Sequence, residues 1–175
     1  SRNTYEEDIK KYDAEFTQKP DTAYTFVFSD INNLKSINGL YGHSAGDECI
    51  SYVAVAMLNG MRNAEKVYRM GGDEFLAIYR KVNEKTIQKD LQRVRQTCEE
   101  QSGDLPCKPV IAIGYAISSP EYKSLRDVLR IADYMMYRNK TEIKRDQAYS
   151  HISTGTKLNL TGLTDRIFDA MCASS

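Results

Sequence analysis

The sequence predicts a single α/β domain in which a mixed β-sheet is covered by helices. Four short runs rich in aromatic and branched apolar residues have the length of strands, and segments with helical periodicity stand before, between and after them. The resulting order of elements, αβαββαβα, is typical of helices layered on a sheet. With 175 residues, the chain is long enough for one domain with one sizeable core.

The first two elements are a helix and a buried strand. Apolar side chains recur at helical spacing near the start of the chain. They are Tyr5, Ile9, Tyr12 and Phe16. Thr4 and Glu7 have the pattern of a capping box, so we expect the helix to begin at Thr4 and to end before Pro20. Residues 24–28 are apolar on both faces, which predicts a central strand ending at Asp30.

The middle of the chain predicts a helical turn, a longer helix and a hairpin. The turn is expected at residues 34–37 and the helix near Ser44. The predicted buried residues of this helix are Ile50, Val53, Ala54, Met57 and Leu58. Strands at residues 66–70 and 74–79 are separated only by Gly71, Gly72 and Asp73, which predicts a β-hairpin.

A helix, a strand and a helix complete the predicted domain. The helix at residues 83–101 has an apolar stripe, and residues 110–117 form a buried strand. The stripe consists of Ile87, Leu91, Val94 and Cys98. Ser124 and Asp127 predict the capped start of the last helix. Its helical pattern weakens beyond Lys140, where we expect a connector to begin.

The composition argues against several classes of protein. Twenty-four basic and 24 acidic residues give a formal net charge of zero, which is unlike a general nucleic-acid binder. No apolar run could cross a bilayer and no signal peptide is visible, so we expect this segment to make no membrane contact. The four cysteines form no CxxC pair and indicate reduced thiols of a cytoplasmic protein, with Cys49 and Cys98 on buried helix faces. Membrane anchoring by flanking segments is compatible with this interpretation.

Carboxylates stand at two places where a cation could bind. Asp73 and Glu74 lie at the glycine hairpin, where a ligand can approach the backbone closely. Asp30 ends a buried strand, and ligands of open α/β sheets gather at such strand ends. Taken separately, each place also has a structural explanation, as a polar hairpin tip or as a strand-terminating aspartate.

The loop at residues 35–47 offers groups that could bind a nucleotide. Lys35 could bind phosphate, and Asp47 with Asn38 could accept the N1–H and N2–H donors of guanine. The structural alternatives are a solvated lysine and a capping role for Asp47 with Ser44.

Together, these separate motifs resemble the GGDEF family of diguanylate cyclases. Residues 71–75 are the family's signature pentapeptide without substitution, and residues 42–47 match its GH..GD pattern at the usual distance after Asp30. Residues 132–140 resemble the family's AD..LY.AK segment, and residues 1–5 resemble the NR..F that follows its opening LTGL. The resemblance extends from residue 1 to about residue 144.

The resemblance implies a palm-like nucleotidyl-cyclase fold with a ferredoxin-like core, and it implies a role for each matching residue. Asp30, Asp73 and the Ile31 carbonyl would bind Mg²⁺ or Mn²⁺, with Glu74 beside them at the catalytic centre. Asn38 and Asp47 would contact guanine. The other implied substrate-binding residues are Asn33, Leu34, Lys35, Gly72, Lys140 and Lys144.

The activity implied is the condensation of two GTP into cyclic di-GMP, with release of pyrophosphate, by two GGDEF domains that face each other. The alternative is a catalytically degenerate GGDEF domain that binds GTP or cyclic di-GMP and regulates an attached domain. The intact signature favours the enzyme, whereas Asn32, Asn33 and Leu34 depart from the family's usual residues. At the family's RxxD product-feedback site the chain has Arg62 and Glu65, so we expect weak or no product inhibition.

The resemblance also predicts how the chain is divided. We expect residues 1–146 to be a GGDEF domain without its usual N-terminal leader, and residues 147–175 to be a linker or the start of a following domain. Residues 159–168 resemble the LTGL..NR..F segment that opens such a domain, and they fit either the start of another domain or a linker helix that shares the pattern. Flanking sensory or signalling domains are expected as well.

Overall fold

The computed structural model describes residues 2–100 and 103–153, which form one four-stranded sheet and five helices. In chain order the elements are α1 (Arg2–Gln18), β1 (Tyr24–Ile31), α2 (Leu34–Tyr41), α3 (His43–Gly60), β2 (Lys66–Gly71), β3 (Glu74–Arg80), α4 (Glu84–Glu100), β4 (Ile111–Ile117) and α5 (Leu125–Ser153). The predicted class, a sheet covered by helices, is confirmed.

The strand order is β2-β3-β1-β4, and each neighbouring pair in it is antiparallel. A mixed sheet was predicted from the order of elements, and this detail is wrong. β1 and β2 do run in the same direction, but β3 returns through the hairpin and inserts between them. This split βαβ arrangement gives the ferredoxin-like core and makes every neighbouring pair antiparallel.

The core lies on both faces of the sheet. On one face, Val27 and Ile31 of β1 pack with α3 and α4; on the other, Phe26 and Phe28 pack with α1 and α5. Successive side chains of a strand point to opposite faces, so a strand with apolar side chains on both faces must be covered on both. The prediction that β1 is a central, buried strand is confirmed.

Three predicted details of the helices are wrong. The chain is already helical at Arg2, so Thr4 lies inside α1 and does not begin it. Leu58 is 63% exposed, because it points away from the face that buries Met57. α5 continues through Lys140 to Ser153, because the residues that follow are mostly good helix formers and Ile143 still packs against the core.

α5 approaches β4 most closely at Gly114, which leads to a prediction about stability. A Cβ on Gly114 would overlap the backbone nitrogen of Met136 and lie 2.5 Å from its Cα. Backbone in a packed helix and strand cannot move aside, so we expect Gly114→Ala to lower the free energy of unfolding by about 3 kcal/mol. Urea denaturation measures this loss, and Gly39→Ala is the control because nothing lies within 4 Å of its Cβ position. Equal stability of the two variants would contradict the close packing of α5 on β4.

Candidate functional site

The candidate site lies at the end of the sheet where β1 ends and the β2–β3 hairpin turns. Asp30 of β1 is in register with Glu74 of β3 and with Ala112 of β4. Asp73 precedes Glu74 in the hairpin turn, so the strand pairing brings Asp30 and the hairpin carboxylates to one place. In the sequence, Asp30 is separated from Asp73 and Glu74 by more than 40 residues.

The hairpin has a two-residue turn, because Gly71 pairs with Glu74. Gly72 has a φ of +53°, a backbone conformation that glycine adopts without strain, and Arg69 Nε donates to the Gly72 carbonyl at 2.8 Å. The predicted hairpin is therefore confirmed, and Asp73 stands at a turn whose backbone is held from the β2 side.

Burial and neighbouring negative charges raise the pKa of two carboxyls at the site, those of Asp73 and Glu74. Burial first, and then the charge of Asp30, raises the pKa of Asp73, and the positive charge of Lys140 offsets this only in part. Burial raises the pKa of Glu74 as well, followed by the charges of Asp133 and Asp30. Lys140 Nζ donates to Asp30 Oδ2 at 2.7 Å, whereas the buried Asp30 Oδ1 has no hydrogen-bond partner. Lys140 alone therefore does not compensate the negative charges of Asp30, Asp73 and Glu74.

This donor set fits a hard cation that is shared with phosphates. Among residues 2–100 and 103–153, no group of three or more His, Cys, Asp and Glu side chains is arranged as a metal site. The available ligands are the Asp30 and Asp73 carboxylates, with Ile31 as the last residue of β1. Mg²⁺ in proteins is commonly bound by one or two carboxylates together with substrate phosphates and water. The unpartnered Asp30 Oδ1 is the oxygen that such an ion would satisfy.

Three predicted phosphate-binding lysines lie near this centre, on two different helices. Lys35 is exposed in the first turn of α2, and Lys140 and Lys144 are half-buried on successive turns of α5. Burial first, and then the charge of Lys140, lowers the pKa of Lys144, and the charge of Lys35 acts in the same direction. The structure thus brings together positive charges that are distant in sequence.

The loop between β1 and α2 is fixed by side-chain contacts that the sequence analysis missed. Asn33 donates to the Lys108 carbonyl at 3.1 Å and accepts from the Val110 amide at 3.0 Å. In addition, the backbone N–H of Asn32 donates to the Val110 carbonyl at 2.6 Å. The side chain of Asn33 is therefore engaged with the segment before β4, which leaves its backbone as the part available to a phosphate. No local pattern in the sequence indicates this long-range contact.

The two residues expected to contact guanine lie where α2 packs on α3. Asn38 Oδ1 is buried without a hydrogen-bond partner, and a Cβ on Gly46 would overlap it. Asp47 follows Gly46 and is exposed. The alternative in which Ser44 and Asp47 cap this helix is wrong, because α3 begins at His43 with Gly42 as its N-cap and without a side-chain cap hydrogen bond.

Arg62 and Glu65 are both exposed and lie at the opposite end of β2 from the hairpin turn. β2 is six residues long, so the pair is about 20 Å from the site. Their segment is held by Asp90, a fully buried carboxylate that accepts from the Asn63 amide at 2.9 Å and from Tyr79 Oη at 3.1 Å. The sequence analysis missed Asp90, although its helical position on the buried stripe of α4 was a usable signal.

Comparison with known proteins identifies the family. The sequence matches the family model described as "Diguanylate cyclase, GGDEF domain" over residues 1–146. The chain belongs to the GGDEF family. Diguanylate cyclase DosC of Escherichia coli is 26% identical over 147 residues, which cover 77% of this chain and 31% of that protein. Diguanylate cyclase A of Treponema denticola is 31% identical over 119 residues, which cover 66% and 32% of the two chains.

A solved structure of the family shares the fold. The GGDEF domain of DgcB from Caulobacter crescentus, in complex with c-di-GMP, superposes with a TM-score of 0.68 at 23% identity. The superposition covers 79% of this chain and 84% of that domain. The α+β, palm-like class expected for a GGDEF domain is thereby confirmed.

This GGDEF chain spans less than half the length of the curated relatives it matches. One of them is an uncharacterized membrane protein of Staphylococcus saprophyticus, 26% identical over 155 residues that cover 82% of this chain and 44% of that protein. In the part of the chain described here, none of the helices is long and apolar enough to span a membrane. Residues 154–175, which include Cys172 and the LTGL-like segment, lie outside the described residues.

Proposed function

We propose that this GGDEF domain is an active diguanylate cyclase, which condenses two GTP into cyclic di-GMP and requires Mg²⁺ or Mn²⁺. The observation that supports activity is the buried, unpartnered Asp30 Oδ1 next to Asp73, within an unsubstituted GGDEF signature. Two relatives are named diguanylate cyclases, and the DgcB domain was solved with c-di-GMP. We propose that the site residues predicted from the sequence have the roles that follow.

In this proposal, Asp30 and Asp73 hold the cation, with Glu74 beside them. A bound divalent cation supplies charge neutralisation for the phosphates and makes the attacking hydroxyl more acidic. Lys35, Lys140 and Lys144 bind the terminal phosphates from two sides and stabilise the charge that develops on pyrophosphate. In this proposal, the backbone at Asn33, Leu34 and Gly72 would donate further hydrogen bonds to the same phosphates.

The reaction requires two domains, each loaded with one GTP. The 3′-hydroxyl oxygen of one GTP forms a bond to the α-phosphorus of the other and gives up its proton to solvent, the bond from that phosphorus to the bridging oxygen of the β-phosphate breaks, and pyrophosphate leaves. A second, equivalent attack closes the ring. Because positioning supplies much of the acceleration, the arrangement of the two domains controls the rate. Flanking domains raise the effective concentration of the partner domain, so they are the expected place of regulation.

The alternative, a degenerate domain that binds GTP or cyclic di-GMP without turnover, has one specific observation in its favour. Asn32 stands where the family usually has aspartate, and its buried side-chain oxygen has no hydrogen-bond partner. The site thus has one negative charge fewer than the family pattern. This alternative predicts GTP binding without product formation.

The deciding experiment is to incubate the full-length protein with GTP and MgCl₂ and to analyse the products by mass spectrometry. We expect one cyclic di-GMP and two pyrophosphates for every two GTP consumed. For the isolated 175-residue chain, the rate per mole should rise with protein concentration, because two domains must meet. GTP bound by a dimeric full-length protein without any cyclic di-GMP would establish the degenerate alternative.

A second test concerns product inhibition at Arg62 and Glu65. Glutamate is one methylene longer than the family's aspartate and presents its carboxylate differently to a guanine. We therefore expect cyclic di-GMP to inhibit weakly, with Arg62→Ala changing the initial rate and the inhibition by less than about twofold. Initial rates measured over a series of cyclic di-GMP concentrations test this. Low-micromolar inhibition that disappears in Arg62→Ala would show that Glu65 replaces aspartate.

We further propose a cytoplasmic location for this domain within a longer protein. The zero net charge and the absence of a spanning helix among the described residues are compatible with this location. The membrane-protein relative is compatible with an anchor elsewhere in that longer protein. Residues 1–146 as the GGDEF domain and residues 147–175 as a linker or a following domain remain our prediction.

A further inference from the structure

Asn139 of α5 binds groups on the edge of the sheet. Its Oδ1 accepts from the Ile113 amide at 2.8 Å and from Arg95 Nη2 at 3.3 Å. Arg95 Nη1 donates to the Ile111 carbonyl at 3.2 Å, so α4, β4 and α5 are joined in one network. In an antiparallel pair, only every second residue of β4 forms backbone hydrogen bonds with β1, and Val110 is one of these residues. The backbone N–H and C=O groups of Ile111 and Ile113 therefore point away from β1. The network therefore satisfies edge groups that have no strand partner among the described residues.

The next residue along α5 is Lys140, which contacts the other strand of this pair. Lys140 Nζ binds Asp30, and Asp30 is in register with Ala112, the residue between Ile111 and Ile113. Two successive side chains of α5, those of Asn139 and Lys140, therefore contact neighbouring positions of β4 and β1. Gly114 lets the preceding turn of α5 lie directly on β4. The close contact at Gly114 sets the distance between α5 and β4. The hydrogen bonds of Asn139 set the rotation of α5 about its own axis.

The loss of Asn139 would remove the acceptor of two partly buried donors, the Ile113 amide and Arg95 Nη2. Burial lowers the pKa of the Arg95 guanidinium, which indicates a desolvated donor. Ile113 is 6% exposed, and the hydrogen bond of its amide to Asn139 is partly buried. Unpaired buried donors are costly, and the helix turn can rotate or lift to find other partners. Such a rotation would carry Lys140 away from Asp30.

We propose that Asn139 is a positioning residue for Lys140: its contacts with Ile113 and Arg95 hold the turn of α5 that places the Lys140 ammonium group at Asp30. The consequence for turnover rests on the proposed cyclase function, whereas the consequence for Lys140 itself does not. The competing interpretation is that Asn139 only contributes stability by attaching α5 to the sheet.

The experiment uses Asn139→Ala, Asn139→Asp and a control, Gln88→Ala. Alanine removes the acceptor without adding bulk and is a good helix former; aspartate restores an acceptor for both donors. Gln88 donates to Tyr115 Oη at 3.1 Å, so its replacement removes one hydrogen bond to the same strand, further from Lys140. The full chain is treated with a limiting amount of an amine-acylating reagent, and labelling of Lys140 is measured by mass spectrometry relative to the exposed Lys123.

For the protein without nucleotide, we expect Asn139→Ala to increase relative labelling of Lys140 at least about threefold, the factor that corresponds to one lost hydrogen bond. Asn139→Asp should restore the wild-type value, and Gln88→Ala should not change it. Unchanged labelling in Asn139→Ala, or an equal increase in Gln88→Ala, would overturn the proposal. This readout does not depend on any activity, so it stays decisive if the domain proves to be degenerate.

In an active protein, a second readout separates positioning from stability. We expect Asn139→Ala to lower kcat about tenfold, and to lower it no further when Lys140 is already replaced by methionine. A role in stability alone would give the same loss in both backgrounds and would overturn the proposal. Assays at a temperature where thermal unfolding shows every variant to be folded exclude unfolding as the cause.

Discussion

The replacement Asp73→Asn is expected to lower turnover of GTP to cyclic di-GMP by about a thousandfold while the fold is kept. Asparagine has nearly the same shape as aspartate but lacks the charged oxygens that Mg²⁺ prefers. At the end of β1, Asp30 would then face the cation alone, and its side chain is only 13% exposed. Too little negative charge would remain to hold the ion against the phosphates. Asp30→Asn is expected to have an equally large effect.

The stability of Asp73→Asn should change in the direction opposite to its activity. A raised pKa for this carboxyl means that the folded protein holds the charged form less well than the unfolded chain does. Removing the charge relieves both the burial cost and the repulsion by Asp30. In the absence of metal and nucleotide, we therefore expect an unfolding temperature equal to or above that of the wild type.

The matched control is Asp21→Asn, which makes the same chemical change just before the opposite end of β1, where the side chain is exposed. Its kcat and its unfolding temperature should both stay at the wild-type values. Turnover is measured by mass spectrometry of cyclic di-GMP, and metal affinity by titration of Mn²⁺ in the presence of GTP. Wild-type turnover by Asp73→Asn would remove this residue from the catalytic centre. A large drop in unfolding temperature would mean that the loss of turnover reflects misfolding.

The parts of the fold that could be predicted from the sequence are those with strong local signals. Residues 24–28 place apolar side chains on both faces of β1, and the glycine turn at residues 71–73 specifies the hairpin without reference to the rest of the chain. The stripe of α4 from Ile87 to Cys98 is buried as expected. Each of these elements has a periodicity or a turn that only one secondary structure satisfies.

The parts that were mispredicted depend on tertiary structure. The direction of each strand pair is set by where β3 inserts, which no local periodicity contains. The helical pattern of α5 fades beyond Lys140 because few side chains there reach the core, yet the helix continues on propensity and on the packing of Ile143. The capping box at Thr4 is a two-residue pattern, and so short a signal does not fix a helix end.

For the candidate site, the sequence identified residue types, and the fold supplied their proximity. Asp30 and Glu74 are far apart in the chain, and only the antiparallel register places them opposite each other. The motif match found Lys140 but not the residue beside it. Asn139 stands where the family's AD..LY.AK pattern has alanine, so a search for matches passes over it. Departures from a motif become informative only when their contacts are known.

Gly46→Ala is the second change expected to have a large effect, and it acts on nucleotide choice. A site built to pair with guanine should prefer GTP to ATP by about ten-thousandfold in kcat/KM, because adenine would leave its polar groups unpaired. In Gly46→Ala the new Cβ would overlap Asn38 Oδ1 and lie 2.9 Å from its Cγ. The amide is at the end of a rotatable side chain, so it would swing away without unfolding the domain. We expect the preference for GTP to fall about a hundredfold.

A double-mutant cycle and a glycine control test the cause of that effect. Asn38→Ala alone should reproduce the loss, and Gly46→Ala combined with Asn38→Ala should add little to either, because both act on one contact. Gly39→Ala, on the same helix as Asn38 and with nothing within 4 Å of its Cβ position, should keep the wild-type preference. The measurement is kcat/KM for GTP and for ATP in each variant. Additive losses in the double mutant would separate Gly46 from Asn38, and an unchanged preference in Gly46→Ala would place the guanine elsewhere than between α2 and α3.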